Sequence, residues 1–145
     1  FSSDFIIGYP GENEQDFNDT ISLIKRIGFI NSYSFIFSPR PGTVSANLKL
    51  IDKKISIERL EKIQNLLFEN QIKMNKNLEK RNLNVLVENL TKDNTQVFGR
   101  TEHMTPVIFD GNNRDIGKII QVKIKDSNRS TLFAEKINNS NQKVA

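Results

Sequence analysis

Asp4-Phe5-Ile6-Ile7-Gly8-Tyr9-Pro10-Gly11-Glu12 is the stretch from which the fold is read. A short apolar run closed by a glycine is the pattern of a buried strand, here over about residues 3–8. The Pro-Gly pair that follows is a strong turn signal. Beyond it, Phe17, Ile21, Ile24 and Ile27 recur three or four residues apart and share one face of a helix over about 14–27. Glu12, Glu14 and Asp16 lie at its start and Lys25 and Arg26 at its end, both favourable to the helix dipole, and Gly28 supplies the stop. A second strand spans about Ser32 to Phe37. It runs into Ser38-Pro39-Arg40-Pro41-Gly42-Thr43, a loop in which two prolines fix two φ angles and remove two donors. Strand, helix and strand joined by short connections make a βαβ unit with parallel strands.

Working outward, residues 53–79 form one long helix. Asp52 is its N-cap, and Ile57, Leu60, Ile63, Leu67, Met74 and Leu78 make its apolar stripe. From about residue 82 the pattern changes to five short strands, over 83–90, 96–101, 106–109, 118–124 and 130–137, divided by Asn, Asp and Gly turns. That spacing predicts a small closed β-barrel. The polar tail from Asn138 is expected to fray.

Composition bounds the partners. The chain has 145 residues and a net charge of +4. Residues 79–145 hold 11 Lys and Arg against 8 Asp and Glu, so most of the excess lies in that half. This is compatible with nucleic acid and does not by itself establish it. No apolar run approaches the roughly 20 residues that span a bilayer, and no signal-peptide pattern is present. The expectation is a cytoplasmic protein with no membrane partner. There is no cysteine, hence no disulfide and no thiolate metal site built from this chain. The single histidine, His103, has no metal-ligand company. The start at Phe1, one residue pair before an apolar strand, suggests that an upstream part of the same polypeptide is missing.

Three stretches taken in order carry a resemblance. They are Asp4 to Glu12, then Ser34-Phe35-Ile36-Phe37-Ser38-Pro39-Arg40-Pro41-Gly42-Thr43, then Val85-Leu86-Val87-Glu88 with Gly99-Arg100-Thr101 downstream. The chain resembles the C-terminal part of the radical-SAM methylthiotransferase family, in particular its MiaB-type members. The Ser-Pro-Arg-Pro-Gly-Thr string is the most discriminating piece. A departure is Lys80, where the family usually has a glycine just before the barrel. Val44 and Ser45 are also less typical.

The resemblance implies an α+β fold in two parts. Residues 1–52 would be the last part of a partial radical-SAM (β/α) barrel and 53–80 a linker helix. Residues 81–140 would be a TRAM domain, a small OB-like RNA-binding β-barrel, with 141–145 a tail. It implies an enzyme that adds a 2-methylthio group to N6-isopentenyl-adenosine beside the anticodon of tRNA. The cofactors would be S-adenosyl-L-methionine (SAM) and two 4Fe-4S clusters whose ligands are not on this chain. Ile6, Gly8, Phe37 and Ser38 would then face SAM, while Arg40, Arg100, Lys118 and Arg129 would contact RNA. Two alternatives stay open: a sister enzyme acting on threonylcarbamoyl-adenosine tRNA or a ribosomal protein, or an RNA-binding module without chemistry. A third expectation concerns RNA readout. Phe98, Phe109 and Phe133 are sparse and suited to a core, so backbone and shape should dominate over base contacts.

Overall fold

The computed structural model describes residues 1–137; the expected tail lies outside them. The chain divides into two compact units, residues 1–71 and 72 onward.

In the first unit, β1 (Asp4–Ile7) and β2 (Tyr33–Ile36) pair in parallel, with Ile6 opposite Phe35 and Ile7 opposite Ile36. Between them runs α1 (Glu14–Ile27). Its start is a capping box: the Asn13 side chain accepts from the backbone of Gln15 and Asp16, and Asp16 accepts from the Asn13 N–H. Its end is Gly28 in the left-handed region, whose N–H donates to the Ile24 carbonyl. The expected helix therefore holds at both ends because both caps are chemically explicit.

Alternation divides the two-stranded sheet. Phe5 and Ile7 turn toward α1 and α2 (Lys53–Leu78) and join Phe17, Ile24, Phe29, Ile63 and Leu67 in one buried cluster. Asp52 caps α2 through its carboxylate, as expected. The buried stripe of α2, however, begins with Ser56 and Arg59, whereas Ile57 is exposed. Arg59 can occupy a core position because it bonds to Glu12 and Glu14, and Ser56 because its hydroxyl donates to the Asp52 carbonyl while its small side chain lies against Gly8. Ile27 is likewise exposed, and Phe29 closes the cluster in its place.

The second unit is a closed barrel of five strands in the order β3-β4-β5-β7-β6: β3 (Asn82–Leu90), β4 (Val97–Thr101), β5 (Pro106–Phe109), β6 (Ile119–Ser127) and β7 (Leu132–Lys136). All pairs are antiparallel except β5 with β7. Closure leaves no edge strand exposed. Val85, Val87, Val97, Val107, Phe109, Val122, Ile124 and Leu132 fill the interior, one parity of each strand. The last turns of α2 belong to this unit: Leu78 packs on the barrel core, and buried Asn75 donates through Nδ2 to the carbonyls of Asn128 and Arg129.

Two positions govern how the barrel is entered and closed. Lys80 has φ +67°, in the left-handed region, and its N–H donates to the Ile124 carbonyl at 2.8 Å. This is the position where the resembling family usually has glycine, which adopts that conformation without a steric penalty. At Gly99 a Cβ would collide with the carbonyl oxygen of Leu86 and lie 2.7 Å from a methyl of Val85, so β3 and β4 can approach only across a glycine. We predict opposite outcomes at the two sites. Lys80→Gly should stabilise the barrel by up to about 1 kcal/mol, the left-handed strain less the added chain entropy of glycine. Gly99→Ala should destabilise it by about 2 kcal/mol or more, as overpacking against backbone does. Urea unfolding of the chain followed by far-UV circular dichroism measures both; equal midpoints for the three proteins would contradict the strain argument.

Candidate nucleic-acid interface and cofactor edge

The expected SAM-facing residues gather at one place in the first unit. Because β1 and β2 are parallel, their following segments emerge side by side, and the Phe37 N–H donates to the Ile7 carbonyl at 2.8 Å. Gly8, Tyr9, Phe37 and Ser38 thus share the carboxyl edge of the sheet, and the Tyr9 and Phe37 rings meet edge to face at 5.0 Å. Ile6 lies one position back, 58% exposed, on the face opposite the core together with Phe35 and Tyr33.

The segment between Gly8 and Glu14 is held by charges whose roles the sequence did not reveal. The Glu12 carboxylate accepts from the Gly8 N–H through one oxygen and from Arg59 Nη1 through the other, at 3.0 and 2.7 Å. Arg59 also donates to the Glu12 carbonyl and, through Nη2, to Glu14. Its guanidinium lies over the Phe17 ring. Burial alone would lower the pKa of this arginine, but its bonds to Glu12 and Glu14 outweigh that and hold it above the ordinary value. Gly8 itself has φ +75°, and a Cβ there would lie 2.6 Å from the Ser56 hydroxyl. The one signal in the sequence was Glu12 in the turn string, which dipole complementarity accounts for only in part. Arg40, in contrast, projects from the turn after β2. Its carbonyl accepts from the Thr43 N–H and hydroxyl, while its guanidinium has no partner among the described residues.

In the barrel the expected RNA-contacting residues do not form one cluster. Arg100 is on β4 and donates through Nη1 to both Glu88 carboxylate oxygens, at 2.9 and 2.8 Å, with its guanidinium 5.3 Å over the Phe98 ring. Lys118 precedes β6, next to Asp115, and Arg129 sits in the β6–β7 turn. The two motif pieces Val85–Glu88 and Gly99–Thr101 pair with each other: Leu86 lies opposite Arg100 and Val87 opposite Gly99. Thr101 completes the string by accepting the N–H groups of His103 and Thr105 and so closing the β4–β5 turn. Lys125 and Lys136 are paired with Glu135 and Asp115. Arg114, Lys118 and Lys123 make no side-chain hydrogen bond or ion pair among the described residues and remain available to phosphate. Among the described residues no group of His, Asp and Glu could hold a metal ion, and no helix is long and apolar enough to cross a membrane.

Residues 77–137 match the model of the TRAM domain. The tRNA-2-methylthio-N(6)-dimethylallyladenosine synthase of Pelagibacter ubique is 63% identical over all 145 residues of this chain, which cover 32% of that relative. The synthase of the same name from Ruthia magnifica is 42% identical over 137 residues, covering 94% of this chain and 31% of the relative. That from Vesicomyosocius okutanii is 44% identical over 135 residues, 92% of this chain and 30% of the relative. This chain is similar along nearly its whole length to the C-terminal portion of tRNA methylthiotransferases and carries a TRAM domain. It spans about a third of the length of these curated relatives and matches their C-terminal portion. In this chain Gly99-Arg100-Thr101 sets strand approach, a cross-strand ion pair and a turn.

Two tests address the charges. Arg59→Ala strands the nearly buried Glu12 carboxylate and should cost the first unit about 3 kcal/mol, whereas Arg59→Lys should recover only part, lacking the fork that reaches both glutamates. Hydrogen exchange at the amides of Phe5 to Ile7 reads this, and unchanged protection in Arg59→Ala would contradict it. In the second unit, Lys136 and then the Asn112 N–H hold the Asp115 carboxyl below its ordinary value of 3.8. A lowered folded pKa gives stability that is complete above the unfolded value and lost as pH falls through the folded one. The barrel should therefore lose stability below about pH 4. Asp115→Asn should be less stable at pH 7 and show a shallower decline toward pH 2, measured by urea midpoints across that range.

Proposed function

We propose that this chain is the tRNA-gripping part of an enzyme that adds a methylthio group to N6-isopentenyl-adenosine in tRNA, with SAM as a cofactor, and that it works in the cytoplasm. The observation that carries this reading is the 63% identity along the whole chain to a synthase named for that product, joined to a barrel that matches the TRAM domain. The first unit is then the end of the radical-SAM barrel. Its two parallel strands and their shared carboxyl edge are where a (β/α) barrel carries its ligands.

The residues at that edge suit a flat, largely apolar group such as adenine. Ile6 and the Phe37 ring offer apolar surface, and Ser38 offers a hydroxyl beside it. The Gly8 N–H is already committed to Glu12, so Gly8 would contribute close backbone approach and not a donor. Bound SAM supplies the family's radical chemistry; this chain's part is to wall and orient it. The iron–sulfur clusters have no ligand set here, since the chain contains no cysteine. Arg40, on a loop stiffened by Pro39 and Pro41, is placed to hold a phosphate or carboxylate at little entropic cost.

The full-length protein, reconstituted with iron and sulfide under anaerobic conditions, should convert isopentenylated tRNA to its methylthio form, detected by mass spectrometry of the digested nucleosides. Modification of threonylcarbamoyl-adenosine instead would overturn the substrate. The chain alone should bind tRNA with an affinity that falls linearly against the logarithm of salt, each phosphate contact adding about −0.7 to −0.9 to the slope. Lys118→Ala should reduce that slope by about one contact; salt-independent binding would contradict a phosphate grip.

A further inference from the structure

We infer that the outer face of strands β3, β4, β5 and β7 is a stacking platform for unpaired bases of single-stranded RNA, built on Phe98, Arg100, Ile108 and Phe133. The inference rests on the RNA-binding reading above and assigns it a surface and a mode.

Strand register puts these side chains together. Phe98 lies opposite Ile108, and Ile108 opposite Phe133, so the three make one row across β4, β5 and β7. All three have the outward parity, since Val97, Val107 and Leu132, one position before each, are fully buried. Phe109 alone of the three barrel phenylalanines is in the core. This corrects the expectation that the three aromatics are suited to the core. Phe133 is 37% exposed and Leu86, opposite Arg100, is 46% exposed. Two strand spacings separate Phe98 from Phe133, roughly 10 Å, enough for one or two bases.

The charges favour a nucleobase over an apolar protein segment. Arg100 lies over Phe98, its Cζ 5.3 Å from the ring centroid, and is held there by Glu88, so a cation and a ring are presented together. Stacking on pre-ordered groups costs little side-chain entropy, and Arg planes and phenylalanine rings both stack on bases. At the other end Asp126 lies opposite Phe133. A carboxylate there repels phosphate but accepts from the exocyclic amine of a base. Backbone phosphates would run toward cations off this row, such as Lys118 and Lys123. Small five-stranded barrels of the OB kind bind oligonucleotides on the corresponding face.

The test uses the whole chain and three labelled probes: a single-stranded oligoadenylate, an abasic oligonucleotide of the same length, and an RNA duplex. Phe98→Leu and Phe133→Leu keep apolar bulk and remove the ring. Each should weaken oligoadenylate binding by about 5- to 100-fold, the range for loss of one stacked base. The slope against salt should stay unchanged, because no phosphate contact is removed. The abasic probe should bind the parent chain at least as weakly as either variant binds oligoadenylate, and binding to the duplex should be unaffected by either substitution. Equal affinity of the parent chain for abasic and oligoadenylate probes would overturn the platform while leaving a salt-dependent grip intact. Absence of RNA binding by the parent chain would overturn the RNA reading itself. The abasic arm needs no variant, so the outcome does not depend on whether Phe98→Leu folds.

Discussion

The contact between Gly99 and the Leu86 carbonyl is the constraint on which the barrel depends. β3 pairs with both β4 and β6, so its distance from β4 fixes whether the five strands close. A side chain at position 99 would hold the two strands apart. With glycine there, Arg100 reaches Glu88 and lies on Phe98, and Thr101 closes the turn to β5. The pairing of β3 with β4 rests on this close backbone approach, while the bulge at Glu88 brings its carboxylate to Arg100.

A comparable economy operates in the first unit. One carboxylate, Glu12, fixes the Gly8 backbone and recruits Arg59, while Ser56 leaves room for Gly8 to approach. A larger residue at 56 or a shorter one at 59 would release the segment that follows β1. Burying an arginine is expensive unless its donors are satisfied; here Nη1 and Nη2 meet Glu12 and Glu14 and the guanidinium lies over the Phe17 ring, while Nε has no partner among the described residues. Those charges hold the Gly8–Glu14 segment, which connects the packing of α2 to the geometry of the sheet's carboxyl edge.

How much of this could be read from the chain follows from which forces leave a pattern. Both helices were legible from their apolar period together with Gly28 and Asp52, whereas the Asn13 capping box of α1 was not read from the sequence. The parallel pairing and the five-strand barrel followed from short connections and turn spacing. Ser56 and Arg59 were illegible as core residues because hydropathy places polar residues outside; only a partner distant in sequence reverses that. The facing of β4 was illegible for another reason. Its inward parity holds Val97, Gly99 and Thr101 and its outward parity Phe98 and Arg100, so the larger apolar residue points out. Arg100 was legible as special, but its ion pair with Glu88 was not, because a bulge between Val87 and Asn89 sets that contact. Ile6, Gly8, Phe37 and Ser38 do come to one edge, whereas Arg100, Lys118 and Arg129 are spread over the barrel.

The proposed meeting place of this chain with RNA is the outer face of its barrel. Backbone amide chemical-shift mapping of the chain with a single-stranded oligoribonucleotide tests it most directly. The largest perturbations are expected at residues 86–88, 98–100, 108 and 133, with small ones in residues 1–71. Perturbations confined to residues 1–71, or spread evenly over both units, would contradict it.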